Sequence, residues 1–274
     1  MEVNTQSGST AESPFSLRGK RAIVCGSTQG IGRACAIEFA RLGAEITLVA
    51  RNDLGLQRVH GELTHAGGLA HRWLVADFTS WKSVHDTVAP LVTDHGPFHI
   101  LLNNTGGPAP GPVFEATPDE LILAFEQHVL CNQALVQLTT PGMRDATYGR
   151  IINIISTSVV TPIKGLGVSN TIRAAVANWA RTLAAELGPF GITVNNVLPG
   201  YTATARLKSI LQGRANRAGS TIDEIEQHVI GTIPARRLGL PEEIAAVCAF
   251  LASPAASYVN GVNLPVDGGR LASQ

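Results

Sequence analysis

The chain has 274 residues, with 21 basic and 21 acidic side chains and a formal net charge of zero. A chain of this length can bury a large core, and open α/β folds often reach this size as one domain. The balanced charge gives no overall attraction to nucleic acid or to an anionic membrane, so we expect neither as a partner. No apolar run reaches the roughly 18 residues that a membrane-spanning helix needs.

The four cysteines stand far apart in apolar stretches and form no Cys-x-x-Cys pair. We expect buried free thiols, which predicts a protein of a reducing compartment, the cytoplasm. No histidine has a metal-ligand spacing with a cysteine, so no metal site is predicted. Residues 1–14 are rich in Ser, Thr, Glu and Asn. We predict a flexible tail there, followed by one domain over residues 15–274.

Short apolar runs alternate with amphipathic stretches from residue 15 onward. They predict seven strands, at Arg21–Cys25, Glu45–Ala50, Leu69–Ala76, Ile100–Asn103, Arg150–Ile155, Ile192–Val197 and Val262–Val266. The clearest predicted helices are Ile31–Leu42, one from after the second strand to about His65, Pro118–Arg144, Ser169–Leu187 and Pro241–Ala252. The strands are dense in Ile, Val and Leu, which is typical of a parallel sheet covered on both faces. We therefore predict an α/β fold with a single doubly wound, Rossmann-type, mostly parallel seven-stranded sheet that binds its ligand at the carboxyl edge.

A glycine-rich loop, Gly26-Ser27-Thr28-Gln29-Gly30-Ile31-Gly32, joins the first strand to the first helix. Glycine allows a tight turn and a close approach of the backbone to a pyrophosphate. The start of the helix behind the loop offers free N–H groups and the positive end of its dipole to phosphates. The alternative is an ordinary turn, but the position inside a βαβ unit favours nucleotide binding.

The spacing Gly-x-x-x-Gly-x-Gly is the first of several features by which the chain resembles the classical short-chain dehydrogenase/reductase family, and especially its 3-oxoacyl-acyl-carrier-protein reductases. The resemblance extends from residue 17 to about residue 270. The further matching segments are Ala76–Phe78, Asn103–Gly106, Gly149–Ser156, Gly191–Gly200, Pro241–Ala245 and Val266–Gly269. The resemblance implies an NAD(P)-dependent oxidoreductase that reduces a small-molecule carbonyl compound, and a homodimer or homotetramer.

The loop and the resemblance together predict the cofactor-binding residues. These are Gly26, Thr28, Gln29, Gly30, Ile31, Gly32, Arg51, Asp77, Phe78, Asn104, Thr105, Gly106, Arg173, Pro199, Gly200, Thr202 and Thr204.

Arg51 ends the second strand, where NAD-selective relatives carry a carboxylate for the ribose 2′-hydroxyl. A guanidinium suits a 2′-phosphate, so NADP(H) is favoured over NAD(H). The alternative is that Arg51 only opens a solvated turn. Two residues weaken the case for NADP(H). Gln29 stands where many NADP-using relatives have a basic residue, and the Asp53 carboxylate lies near Arg51.

The catalytic positions of the family are altered in this chain. The family uses an Asn, a Ser and a Tyr-x-x-x-Lys pair on one helix. Ser156 matches the serine, but Ser169 stands at the tyrosine position, Arg173 at the lysine position and His128 at the asparagine position. These four residues are the candidate catalytic set.

Ser169 is too short to replace the tyrosine, and Arg173 cannot relay a proton at neutral pH. Arg173 could still bind the nicotinamide ribose or stabilise an oxyanion. A water on Ser169, within reach of His128 with its reference pKa near 7, could supply the proton. For His128 alone, we favour a satisfied interior histidine over a proton relay. Two alternatives stay open for the whole site. The protein could bind a nucleotide without turnover, as a sensor or partner subunit, or it could catalyse a different reaction such as a dehydration.

The segment between Ala205 and Pro234 corresponds to the substrate lid of the family. It contains the basic residues Arg206, Lys208, Arg214 and Arg217. They could attract an acidic or phosphopantetheine-bearing substrate, but we favour a solvated helix face. Tyr201, just before this segment, could point into the space of the missing tyrosine.

Overall fold

The computed structural model describes residues 12–64 and 69–273. Its strands form one sheet in the order β3-β2-β1-β4-β5-β6-β7, and every neighbouring pair is parallel. The strands are β1 (Arg21–Cys25), β2 (Glu45–Ala50), β3 (Arg72–Val75), β4 (Ile100–Asn103), β5 (Gly149–Ile154), β6 (Ile192–Pro199) and β7 (Asn263–Val266). The predicted doubly wound, seven-stranded sheet is thereby confirmed.

Helices cover both faces of the sheet. They are α1 (Gly30–Arg41), α2 (Asp53–Thr64), α3 (Trp81–His95), α4 (Pro118–Phe125), α5 (Cys131–Asp145), α6 (Gly167–Leu187), α7 (Ala205–Ala218), α8 (Ile222–Gly231) and α9 (Pro241–Ala252). Buried side chains of α1, α2 and α9 form the core on one face, and those of α3, α5 and α6 form it on the other. The inner strands β1, β2, β4, β5 and β6 lie buried between these two cores, which explains their continuous apolar sequences, whereas the edge strands β3 and β7 are partly exposed.

Two predicted elements differ from the structure. The predicted third strand from Leu69 begins only at Arg72, because the His71 N–H turns back to the Leu69 carbonyl and pairing with β2 starts at Arg72. The predicted single helix from Pro118 to Arg144 is divided by a π-helical turn at Glu126–Leu130. An inserted turn of this kind rotates the side chains that follow it, and it is common at functional sites.

The ends of other predictions fall near the undescribed residues. His65, the predicted end of the second helix, lies outside the described residues, as do residues 1–11 of the predicted tail. The last residue of that tail, Pro14, accepts a hydrogen bond from the Ala255 N–H at 3.0 Å. This end of the predicted flexible segment is therefore attached to the domain.

The cysteine prediction is confirmed, because all four cysteines are buried free thiols. Burial raises the pKa of Cys131 to about 12, so this thiol is unreactive. Among the helices of the described residues, none is long and apolar enough to span a membrane. The described residues also contain no cluster of three His, Cys, Asp or Glu side chains that could hold a metal ion.

Candidate active site

A cleft of about 1040 Å³ opens at the carboxyl edge of the sheet. The loops that follow the first six strands form its walls, together with residues of α2, α6 and α7 and Arg270 after β7. The strand order reverses between β1 and β4, and ligands of open α/β sheets bind at such a point. The predicted location of the site is therefore the location of this cleft.

The glycine loop is shaped by close backbone contacts. Gly26 has φ +61°, and an added Cβ would lie 2.4 Å from the Asn104 carbonyl oxygen. At Gly32, an added Cβ would lie 2.2 Å from the Gly26 carbonyl oxygen. These two glycines therefore let α1 and the loop after β4 pack directly against the turn. Gly32, which was predicted to bind the cofactor, is not among the described residues that line the cleft, and its contact with the cofactor stays a prediction.

All the other predicted cofactor-binding residues line the cleft. They are Gly26, Thr28, Gln29, Gly30, Ile31, Arg51, Asp77, Phe78, Asn104, Thr105, Gly106, Arg173, Pro199, Gly200, Thr202 and Thr204. The fold thus brings the segments that supply these residues to one cleft.

Ser156 follows β5 and faces the cleft. Its Oγ accepts a hydrogen bond from the Ser158 backbone N–H at 3.1 Å. The acceptor side of this hydroxyl is thus oriented by the chain, and its own hydrogen can be donated to a ligand. Ser169, in the first turn of α6, also lines the cleft.

Arg173 lies one helical turn beyond Ser169, so the two side chains share a face of α6. Its side chain is buried, with the Nη1 donating to the Ile154 carbonyl at 2.8 Å and the Nη2 to the Thr105 carbonyl at 3.5 Å. The guanidinium therefore connects the ends of β4 and β5. Burial, followed by the positive charge of Arg206, lowers the pKa of Arg173 to about 10, which leaves it cationic at neutral pH.

His128 lies in the π-helical turn and is only 1% exposed. Its Nδ1 is 2.7 Å from the Thr105 Oγ1, and its Nε2 has no hydrogen-bond partner among the described residues. Burial, with Arg173 and Arg206 adding smaller effects, lowers the pKa of His128 to about 2. This burial agrees with the interior histidine that the sequence favoured over a proton source. It is a neutral interior group outside the cleft wall.

Arginine side chains dominate the charge of the cleft. Those that line it are Arg51, Arg58, Arg173, Arg206, Arg214 and Arg270, whereas Asp77 is the only carboxylate among the described lining residues. Arg58, on α2, donates to the Thr28 carbonyl at 3.0 Å. Arg58 and Arg270 were not predicted as site residues. Arg58 lies in no recognised motif. Arg270 follows the matching segment Val266–Gly269, but nothing in the sequence distinguishes it from a solvated charge.

The basic residues of the predicted lid fall into two pairs. Lys208 and Arg217 are exposed and lie outside the cleft, as expected of a solvated helix face. Arg206, which is also exposed, and the half-buried Arg214 line the cleft. Tyr201 also lines it, and its hydroxyl accepts a hydrogen bond from Arg214 Nη1 at 3.3 Å.

These features define a class of protein. A parallel doubly wound sheet carries a glycine loop at the start of its first helix and a ligand cleft at its switch point. This combination is that of an open α/β protein that binds a dinucleotide.

Comparison with known proteins gives the family. Residues 26–270 match the family described as enoyl-(acyl carrier protein) reductase. The chain is 34% identical over 261 residues to 3-oxoacyl-[acyl-carrier-protein] reductase FabG of Pseudomonas aeruginosa, with 94% of this chain and 100% of that protein covered. It is also 34% identical over 255 residues to 7alpha-hydroxysteroid dehydrogenase of Escherichia coli K12, with 92% and 94% covered.

A solved structure agrees with these matches. The fold superposes with a TM-score of 0.89 on L-sorbose reductase from Gluconobacter frateurii, solved with NADPH and L-sorbose, at 30% identity over 96% of this chain and 100% of that one. The chain therefore belongs to the short-chain dehydrogenase/reductase family and is an oxidoreductase. The names of the three relatives refer to chemically different compounds, so membership of the family does not select a substrate.

Proposed function

We propose that this chain is an NADPH-dependent reductase of a small carbonyl compound, such as a ketone or a 3-oxoacyl substrate. Its catalytic set is Ser156 with the pair Ser169 and Arg173, in place of the family's tyrosine and lysine. One observation carries the proposal: these three side chains line the same cleft as the glycine loop. A carbonyl group bound beside a nicotinamide in this cleft would therefore face polar and cationic groups.

The glycine loop fits the pyrophosphate of a nicotinamide dinucleotide. Gly30 has φ +55° and an added Cβ would lie 3.3 Å from Thr204 Cγ2, so the space there suits bare backbone. The free N–H groups at the start of α1 favour a bound phosphate. Asp77 and Phe78 after β3 would hold the adenine end. When bound, such a cofactor supplies a hydride from C4 of its nicotinamide.

Selection of NADPH over NADH is supported by the charges around the end of β2. Arg51 and Arg58 both line the cleft there, and neither forms an ion pair with a carboxylate among the described residues. The Asp53 carboxylate, which weakened the prediction from sequence, accepts hydrogen bonds from the Trp73 indole at 3.0 Å and from Gln57 at 2.8 Å. It lies outside the cleft wall, so it does not compete with the two cations that face this end.

Ser156 and Arg173 would stabilise the oxygen of the reacting carbonyl. The hydroxyl hydrogen of Ser156 would be donated to that oxygen, since its Oγ already accepts the Ser158 N–H. Arg173 would supply a fixed positive charge for the alkoxide that develops as hydride arrives. Because its nitrogens are held by two backbone carbonyls, this charge needs no reorganisation during the reaction.

The proton that completes the reduction would come from solvent through a water held by Ser169. A serine hydroxyl is a weak acid and ends several ångströms short of a tyrosine oxygen, so Ser169 is assigned the water rather than the proton. His128 is not assigned a proton, because it is neutral at physiological pH and lies behind Thr105. Its role would be to orient the Thr105 hydroxyl at the wall of the cleft.

The test is NADPH oxidation over a panel of ketones and 3-oxoacyl thioesters, with the wild type beside a Ser169→Tyr/Arg173→Lys double variant. An Arg181→Lys variant, altered at an exposed position of the same helix, is the matched control. We expect the wild type and the control to reduce at least one ketone that the double variant also reduces. Turnover by the double variant alone would overturn the proposal and leave a protein that binds nucleotide without this reaction.

We also propose a homodimer or homotetramer located in the cytoplasm. Exposed apolar side chains on and before α4, including Phe114, Ile122 and Phe125, support self-association. The four buried free thiols support a reducing compartment. Size-exclusion chromatography with light scattering tests the assembly, and a monomer at micromolar concentration would contradict it.

A further inference from the structure

Tyr201 stands between two arginines in the cleft wall. The guanidinium carbon of Arg214 lies 5.9 Å from the centroid of its ring, and that of Arg270 lies 5.2 Å from it. Arg214 also donates to the Tyr201 hydroxyl at 3.3 Å. Two cations from distant parts of the chain, one on α7 and one after β7, are thus held beside one aromatic ring.

Neither arginine has a carboxylate partner among the described residues. The carboxylate nearest to Arg270 along the chain is Asp267, whose oxygens accept the N–H groups of Gly269 at 3.0 Å and Leu271 at 2.8 Å. The Nε and Nη1 of Arg270 are shielded from solvent and form no hydrogen bond with any described residue. A shielded guanidinium without a partner is unfavourable, and an anion beside it removes much of that cost.

The rest of the cleft adds to this positive potential. Arg206 lines the same wall, and burial lowers its pKa. It donates to the Pro108 carbonyl at 2.6 Å, which is a neutral partner and leaves its charge uncompensated. A cleft with charges of one sign concentrates ligands of the opposite sign, although the chain as a whole has no net charge.

We propose that Arg214, Tyr201 and Arg270 bind an oxyanionic group, a carboxylate or a phosphate ester, carried by the carbonyl substrate. Guanidinium groups bind both kinds of oxyanion through paired charge-assisted hydrogen bonds, and the Tyr201 hydroxyl can donate one more. The assignment rests on the proposed function in one respect, that the anion belongs to a reducible compound. It goes beyond that function because it selects among carbonyl substrates by charge.

The kinetic test uses two matched pairs of probes. Acetoacetate is compared with its uncharged methyl ester, and dihydroxyacetone phosphate with dihydroxyacetone, as substrates for NADPH oxidation. The proteins are the wild type, Arg270→Met, Arg214→Met and, as the control, Lys208→Met, which removes an exposed cation of α7 outside the cleft. A larger preference for the anion in the acetoacetate pair indicates a carboxylate ligand. A larger preference in the dihydroxyacetone phosphate pair indicates a phosphate ligand.

The wild type and Lys208→Met should have a higher kcat/KM for the anionic member of at least one pair. Arg270→Met and Arg214→Met should lose about tenfold to hundredfold of that preference, which is the usual effect of a hydrogen bond to a charged group, with the uncharged probe unaffected. A preference that is absent from the wild type, or unchanged in both arginine variants, would overturn the assignment.

A binding measurement separates failure of this assignment from failure of the proposed function. Calorimetric titration of the NADP⁺-saturated protein with acetoacetate and with dihydroxyacetone phosphate requires no turnover. Should NADP⁺ not bind at all, the same titration is performed on the protein without nucleotide. Binding that weakens in Arg270→Met supports the anion site even if neither probe is reduced. Weakened binding of NADPH itself, with the binding of both probes unchanged, would instead assign these arginines to the cofactor.

Discussion

The two ends of the cleft differ in how closely they follow the family's pattern. At the nucleotide end, the glycine loop keeps both its residues and the backbone contacts that require them, such as the approach of Gly26 to Asn104. At the chemical end, we propose that His128, Ser169 and Arg173 stand at the positions of the family's asparagine, tyrosine and lysine. On that proposal, the scaffold for a nucleotide is retained and the groups for proton transfer are replaced.

Two of these three residues at the chemical end are connected through Thr105. The Thr105 hydroxyl lies 2.7 Å from His128 Nδ1, and the Thr105 carbonyl accepts from Arg173 Nη2 at 3.5 Å. The other ring nitrogen of His128, Nε2, has no hydrogen-bond partner among the described residues. The chemical end is therefore only partly connected by hydrogen bonds.

The largest effect is expected from breaking the nucleotide end with Gly32→Ala. The added Cβ would lie 2.2 Å from the Gly26 carbonyl oxygen and 2.7 Å from Asn104 Nδ2, and the Gly26 backbone cannot move aside as a flexible side chain would. We expect NADPH binding to be lost and the free energy of unfolding to fall by about 3 kcal/mol. Thermal denaturation and a fluorescence titration with NADPH measure the two effects.

Gly231→Ala is the matched control, because no heavy atom lies within 4 Å of the added Cβ at that position of α8. It should leave stability and binding close to those of the wild type. Normal NADPH affinity in Gly32→Ala would contradict the packing role assigned to this glycine.

The second largest effect is expected from Ser156→Ala, at the chemical end of the cleft. The variant loses the one hydroxyl assigned to the carbonyl oxygen, so kcat should fall by about a hundredfold to a thousandfold while NADPH binding is unchanged. The control is Ser158→Ala, which retains the backbone N–H and removes a buried hydroxyl that has no partner among the described residues. Equal kcat values for the two variants would contradict the role of Ser156.

Most of the fold could be predicted because its signals are local. Apolar runs marked the strands, and the glycine loop marked the first turn between a strand and a helix. The start of β3 was missed because it depends on pairing between Arg72 and β2 rather than on the apolar sequence from Leu69. The π-helical turn at Glu126–Leu130 was missed because a shift of the hydrogen-bond register leaves no compositional signal.

The site could be predicted where its residues adjoin strand ends. The same argument fails for Arg58 and Arg270, which reach the cleft from α2 and from the segment after β7 only when the chain is folded. An interior position was favoured for His128 from the sequence, but the extent to which its pKa is lowered could not be predicted. Its reference pKa is a property of the side chain, whereas the shift is caused by burial that only the structure shows.

A smaller effect at the chemical end is expected from His128→Asn, which should change how stability depends on pH below neutrality. The folded-state pKa of His128 is about 2, below its ordinary value of 6.5, so the unfolded chain binds the proton more readily. This contribution to stability is complete above about pH 6.5 and is lost progressively as the pH falls toward 2. From pH 7 to pH 5 the wild type should lose about 2 kcal/mol more than the variant.

Urea denaturation at both pH values measures this difference. His71 and His99, whose pKa values are also lowered, titrate in both proteins and cancel in the comparison. Parallel loss of stability in the two proteins would show that His128 is not a buried neutral group.

The smallest effect is expected from Arg51→Asp, which tests the cofactor preference at the nucleotide end. Replacing a cation by a carboxylate at the end of β2 removes a partner for the 2′-phosphate and adds one for a 2′-hydroxyl. We expect the ratio of the Kd for NADH to the Kd for NADPH to fall by about tenfold, because Arg58 remains in the cleft wall. Arg217→Asp, which makes the same change of charge at an exposed site outside the cleft, should leave the ratio unchanged. An equal fall in both variants would mean that the net charge of the protein, rather than Arg51, sets the preference.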